Sequence, residues 1–352
     1  YVTVRFEQGD LDVKVVFNSE GKISGLWFTP TDLAAIYPYE APAYVDPAGF
    51  TEEDVTVGQG DWELPGTLTL PVGEGPFPAV ILVHGSGPND RDETIGPNKP
   101  FKDIAWGLAS RGIAVLRYDK RTLVYQQAYS TAEMAGITVQ EETIDDALAA
   151  AALLRTRSQI DPARIYIAGH SLGATLAPRI ASLDPDLAGL VLLAAAARPL
   201  EDLVLEQVEY LIHLDDEISS DEADSLRAVQ TQVVQIKDPE LSAQQGGELI
   251  MGAPAGYWLD LRAYDPVETA VSLELPMLIL LGARDYQVTI ADFALWQAAL
   301  KDRNDITFIT YPALNHLFIA GTGSPNPDEY NTPGHVDAKV ISDIAGWVLA
   351  QP

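Results

Sequence analysis

Ile165-Tyr166-Ile167-Ala168-Gly169-His170-Ser171-Leu172-Gly173 is the stretch on which the reading of this chain turns. Its four leading apolar residues make the end of a strand buried on both faces. From Ala174 to residue 183 the sequence continues as a helix, with Pro178 a local cost inside it. Gly-x-Ser-x-Gly between a buried strand and a helix marks a sharp turn that exposes a serine hydroxyl at the sheet edge. Side chains two positions before and after that serine would meet neighbouring backbone, hence glycine at both. The turn predicts a strained Ser171 beside a helix N-terminus, whose dipole favours developing negative charge.

Similar apolar runs recur on both sides, at residues 79–83, 113–116, 190–193 and 277–281, and a more alternating strand follows at 306–311. A short strand at 62–71 precedes them. Helical periodicity falls between, with Ile144, Leu148, Ala151 and Leu154 on one face, and again over 336–349. Strands alternating with helices predict an α/β fold, a mostly parallel central sheet flanked by helices.

The interval between Leu193 and Met277 breaks that rhythm. Val204, Val208, Leu211 and Ile212 stand at helical spacing, more helical sequence follows at 226–236, and the interval reads as an inserted helical cap. Its acidic front, 201–224, reads as a solvated helix face rather than a cation or metal site. At the other end of the chain, Val2, Val4 and Phe6, then Leu11, Val13 and Val15, alternate as a small β meander. A turn at Asn18-Ser19-Glu20-Gly21 leads into its third strand. Pro30, Pro38, Pro42 and Pro47 read as a linker. The expected divisions are a β segment at 1–29, a linker at 30–54, the core at 55–197 and 275–352, and the cap at 198–274.

Across 352 residues, 47% hydrophobic content supplies material for a large core. No apolar run approaches the ~18 residues of a membrane-spanning helix. Fifty-one acidic residues against 22 basic ones give a net charge of −29, which disfavours nucleic acid and anionic membranes as partners. The absence of cysteine excludes a thiol nucleophile and thiolate metal sites. Oligomeric state is not legible.

A serine hydroxyl needs a base. Of five histidines, only His316 directly follows the last strand, in Tyr311-Pro312-Ala313-Leu314-Asn315-His316; His335 is the reserve. The base needs an orienting acid, and Asp285, just beyond the buried run at 277–281, stands in the order serine, acid, histidine. Asp292, Asp302 and Asp305 read as exposed carboxylates. One oxyanion donor is expected from the Leu172 amide. The other comes from the loop His84-Gly85-Ser86-Gly87, with the Ser86 amide best placed and Gly85 the alternative. His84 reads as a brace of this loop. Tyr210, Tyr257 and Trp258 are the aromatic candidates for a substrate pocket under the cap.

The run His84-Gly85-Ser86-Gly87-Pro88-Asn89-Asp90-Arg91-Asp92-Glu93, with Asn98-Lys99-Pro100-Phe101, resembles bacterial α/β-hydrolase carboxylesterases. Arg117-Tyr118-Asp119-Lys120-Arg121, the serine pentapeptide, Asn315-His316-Leu317-Phe318 and Pro333-Gly334-His335-Val336 carry the same resemblance. It implies hydrolysis of short-chain carboxylic esters, small molecules, with no metal or cofactor. It also implies export to the envelope or medium, and an N-terminal domain of unknown function of which 1–29 would be the remnant. Arg91, Asp92, Asp119, Lys120 and Arg121 are expected to form one charged network bracing the oxyanion loop. The alternatives are a peptidase or amidase on the same fold, and a non-catalytic binding protein that kept it.

Overall fold

The computed structural model describes residues 38–126, 136–215, 217–243 and 249–352 with their side chains, and residues 2–6, 9–17 and 23–30 as backbone. Strands β1 (Val2–Phe6), β2 (Gly9–Phe17) and β3 (Ile23–Pro30) pair antiparallel in a three-stranded sheet. The turn read at 18–21 lies outside the described residues, as do 31–37 of the linker.

The main sheet begins earlier than expected. Strand β4 (Phe50–Val57) pairs antiparallel with β5 (Leu64–Pro71), so the boundary drawn at residue 54 falls inside a strand. Thr51 to Asp54 are exposed and only Val55 and Val57 are buried, because β4 is the sheet's outermost strand. A polar edge strand has the composition of a linker.

The chain continues through β6 (Phe77–Val83), α1 (Pro100–Ala109), β7 (Ala114–Tyr118), α2 (Asp145–Arg155), β8 (Ile160–His170) and α3 (Leu172–Leu183). A π-helical turn, Gln140–Ile144, leads into α2, and α3 runs through Pro178. After β9 (Gly189–Leu193) come four helices, α4 (Leu200–Leu211), α5 (Ser220–Lys237), α6 (Ala255–Arg262) and α7 (Pro266–Ser272). The last part is β10 (Met277–Gly282), α8 (Ile290–Leu300), β11 (Ile306–Tyr311) and α9 (Ala338–Ala350).

Eight strands lie in the order β4-β5-β7-β6-β8-β9-β10-β11. Every neighbouring pair is parallel except the two that involve β5. Strands β9 and β10 are buried throughout, which is why they read as unbroken apolar runs. The helices between β9 and β10 hold their own small core, with Ile236, Leu241, Ile250, Ala255 and Trp258 buried together. Among the described residues no helix is long and apolar enough to cross a membrane. All the parallel strands end on one edge of the sheet, where loops after β6, β8, β10 and β11 meet.

Candidate active site

Ser171 sits between the end of β8 and the start of α3 with φ +52°, a conformation that a residue with a side chain seldom adopts. The surroundings enforce it. Its amide donates to the Leu193 carbonyl at 2.9 Å and its carbonyl accepts from the Thr175 amide at 3.0 Å. A Cβ on Gly173 would collide with the carbonyl oxygens of Val83 and His84, and one on Gly169 with the backbone of Gly173. The strand, the following helix and the loop after β6 are therefore drawn closer than any other residue allows.

The expected base and acid meet. His316 Nδ1 lies 2.6 Å from Asp285 Oδ2, and both residues are buried. Asp285 Oδ1 accepts from the amides of Gln287 and Val288 at 2.8 and 3.0 Å, so the carboxylate is fixed in place. The pair lies against the serine turn, since the His316 carbonyl faces His170 Nε2 at 3.0 Å and the two rings are 4.7 Å apart. His335 is not at this place. Its Nδ1 faces the buried Asp103 at 3.1 Å, beside Tyr39.

Ser86 and Leu172 line one cavity of about 260 Å³ together with Ser171. Neither amide has an acceptor among the described residues. Gly85, the alternative donor, is committed: its N–H reaches Glu93 Oε1 at 2.7 Å. Its carbonyl accepts from Lys120 Nζ at 2.8 Å and from Asn89 Nδ2 at 3.2 Å. Carbonyl and following N–H point in opposite directions across a trans peptide. Holding the Gly85 oxygen on Lys120 thus fixes the direction of the Ser86 N–H.

The charged residues near this loop form separate pairs rather than the expected single network. Arg91 grips Asp119 through Nε and Nη2 at 3.0 and 2.8 Å, Asp92 pairs with Arg117 and Lys99, and Arg121 pairs with Asp146. Lys120 is bonded to the loop directly through the Gly85 carbonyl, and it also meets Glu142 Oε1 at 3.0 Å. Glu142 stands on the π-helical turn and accepts from the Tyr257 hydroxyl at 2.7 Å. Glu142 was not singled out in sequence, because nothing local in a helical segment shows that Lys120 and Tyr257 converge on it.

Glu93 was also missed. It is buried at φ +51°, and its Oε2 lies 2.9 Å from His170 Nδ1 without in-line hydrogen-bond geometry, a close ion pair. Burial opposes charge on both groups, yet the pair's mutual attraction outweighs it: His170 is raised above, and Glu93 lowered below, its ordinary pKa. His84 shows the contrast. Equally buried, it falls to about 4 because desolvation dominates, and as a neutral ring it donates from Nε2 to the Asp90 carbonyl at 3.0 Å. The loop brace is therefore a neutral histidine, whereas the residue before the serine is biased toward its charged form by Glu93.

Of the aromatic candidates, Tyr257 and Trp258 line a second cavity of about 440 Å³, which Ser86, Leu200 and Val204 share with the first. Tyr210 does not. Its hydroxyl donates to the Pro325 carbonyl at 2.8 Å and its ring stacks on Tyr286 at 5.4 Å, clamping α4 to the loops after β11 and β10. Two carboxylates also depart from expectation. Asp292 is fully buried, accepting from the amides of Ala197 and Arg198 and from the Arg198 guanidinium. Glu201, read as solvated, is only 3% exposed.

An eight-stranded, mostly parallel sheet with a serine on a strained strand-to-helix turn and a buried Asp–His pair beside it defines an α/β-hydrolase fold. A family profile described as serine aminopeptidase, S33, matches residues 76–321. Esterase EstD of Thermotoga maritima is 45% identical over 347 residues, which is 99% of this chain and 78% of that one. The chain belongs to this family of α/β-hydrolases. Among solved structures, an acylaminoacyl peptidase from Pyrococcus horikoshii has a TM-score of 0.56 at 15% identity, covering 98% of this chain and 49% of that one. Est1E from Butyrivibrio proteoclasticus with ferulic acid bound has a TM-score of 0.55 at 18% identity, covering 84% and 98%. Both share the fold.

Proposed function

We propose that this protein is a serine carboxylesterase that hydrolyses short-chain esters through an acyl-enzyme, with Ser171, His316 and Asp285 as the triad. The observation that carries the reading is the convergence of three things: a half-buried serine at positive φ and two amides without acceptors on one cavity, with a histidine aligned by a buried carboxylate packed against the serine turn. His316, its Nδ1–H held by Asp285, takes the Ser171 proton as Oγ attacks the ester carbonyl. The oxyanion is held by the Ser86 and Leu172 amides. His316 then gives that proton to the departing alcohol. Water, deprotonated by His316, attacks the acyl-enzyme, and its proton returns to Ser171 as the acid leaves.

Two observations support esters: the identity to a relative named as an esterase, and cavities of small-molecule size. Tyr257 and Trp258 would line the more distant of these as part of the cap. The description of the family profile favours a second reading, cleavage of amide bonds. Hydrolysis of p-nitrophenyl esters from acetate to palmitate, run beside p-nitroanilides on wild type and Ser171→Ala, separates them. Turnover of short esters that the variant lacks while still folded supports the esterase. Preference for anilides transfers the site to amidase chemistry, and activity in Ser171→Ala removes Ser171 from its role.

A further inference from the structure

Glu201 is the second residue of α4, is 97% buried, and lines the cavity that holds Ser171. Among the described residues its carboxylate has no hydrogen bond and no ion pair. Every other buried carboxylate has one or both. The cationic and phenolic side chains around the same cavity already have partners. Arg198 is bound by Asp292 and Glu206, Arg262 donates to the carbonyls of Ile236 and Asp238, and the Tyr264 hydroxyl donates to the Thr175 carbonyl. A place in the first turn of a helix favours negative charge there. It does not fill the lone pairs of the carboxylate, which are left for water or a ligand in the cavity.

We infer that Glu201 is a substrate-recognition residue that accepts a hydrogen bond from a donor group on the ester, an ammonium or a hydroxyl. The preferred substrates are then amino- or hydroxy-substituted esters rather than purely aliphatic ones. The inference rests on the reading of Ser171 as nucleophile at this cavity. A role in helix stability alone would also place an acid in the first turn of α4, so the test must read selectivity and not only folding.

The experiment is kcat/KM of the wild-type protein on length-matched aliphatic esters in which an ammonium or a hydroxyl replaces the terminal methyl of the acyl chain or of the alcohol. Glu201→Gln and Glu201→Leu are run in parallel, with thermal unfolding as the check on folding. Donor-bearing esters should outrun their plain counterparts in wild type. That ratio should fall by about ten- to a hundredfold in Glu201→Leu for either donor and in Glu201→Gln for ammonium esters, the range expected for a hydrogen bond to a charged group, since glutamine keeps an acceptor oxygen but not the charge. A gain confined to ammonium esters would identify charge as what is read, and a gain with both would identify the donor. Wild type that prefers plain esters overturns the inference without any variant, and so does a donor preference that survives in a folded Glu201→Leu. Turnover of the same esters by Ser171→Ala would instead remove the reading beneath it.

Discussion

Lys120→Met tests whether the direction of the Ser86 amide is set from behind. The Lys120 ammonium is buried and touches two things: the Gly85 oxygen at 2.8 Å and Glu142 Oε1 at 3.0 Å. Methionine fills the space but leaves the Gly85 carbonyl with Asn89 Nδ2 at 3.2 Å as its side-chain donor. Deleting an oxyanion donor costs ~2.7–4 kcal/mol of transition-state stabilisation. Here the donor stays and only its aim loosens, so a smaller loss is expected, about ten- to a hundredfold in kcat. Stability also suffers. Breaking a buried pair costs ~3–5 kcal/mol when the survivor is left unpaired, and the Tyr257 hydroxyl at 2.7 Å from Glu142 should keep the loss near the lower end. The double variant Lys120→Met/Glu142→Gln separates the two effects. It exchanges the pair for neutral groups, so most of the stability should return in urea unfolding, while kcat on p-nitrophenyl acetate stays low. A double variant that regains wild-type kcat along with its stability would refute the argument, because Lys120 would then act only by balancing a charge.

Glu93→Gln should narrow the pH range over which the protein is most stable. His170 has a raised pKa, so its contribution is full below its ordinary 6.5 and is lost as pH rises through the folded value. Glu93 has a lowered pKa, so its contribution is present above 4.5 and is lost as pH falls through the folded value. The stability gap between wild type and variant should be widest from pH 4.5 to 6.5 and shrink at higher pH; a gap that grows toward pH 9 would contradict the pairing. Asp285→Asn keeps the shape beside His316 but loses the carboxylate that holds its Nδ1–H. Steady-state kinetics should show a fall in kcat of about 10⁴-fold with unfolding little changed, and a modest fall would show that another group orients the base. Asp292→Ala removes one of the two carboxylates on the Arg198 guanidinium, Glu206 remaining, and leaves two amides unmet, and should cost ~1–3 kcal/mol in denaturant unfolding. A loss under ~1 kcal/mol would mean that water replaces the carboxylate readily.

The parts of the molecule that were legible in sequence are those in which a single local rule decides. Strands β9 and β10 are covered on both faces, so burial leaves an unbroken apolar run. The turn at Ser171 announces itself because two glycines are needed where three backbones converge. The order of serine, acid and histidine follows from the sheet, whose strand ends present them in turn. What escaped notice depends on distant partners. Strand β4 carries five exposed polar residues, and nothing within it reveals that Leu64–Pro71 pairs alongside. Asp292 and Glu201 look like any other surface acids on a helix, for periodicity tells which face is inward and not which acids are drawn in with it. Asp292 is buried because Arg198, 94 residues earlier, meets it. Tyr210 looked like a pocket residue and is instead anchored on Pro325, 115 residues away. Glu93 and Lys120 stood inside the very motifs that carried the family resemblance. Their work is to hold the N–H and the carbonyl of one residue, Gly85, from opposite sides. A motif of this kind is therefore denser than its reacting groups require. The surplus charges are the scaffold of a peptide plane, and pairing each with its backbone target requires knowing how β6, β7 and β8 lie side by side.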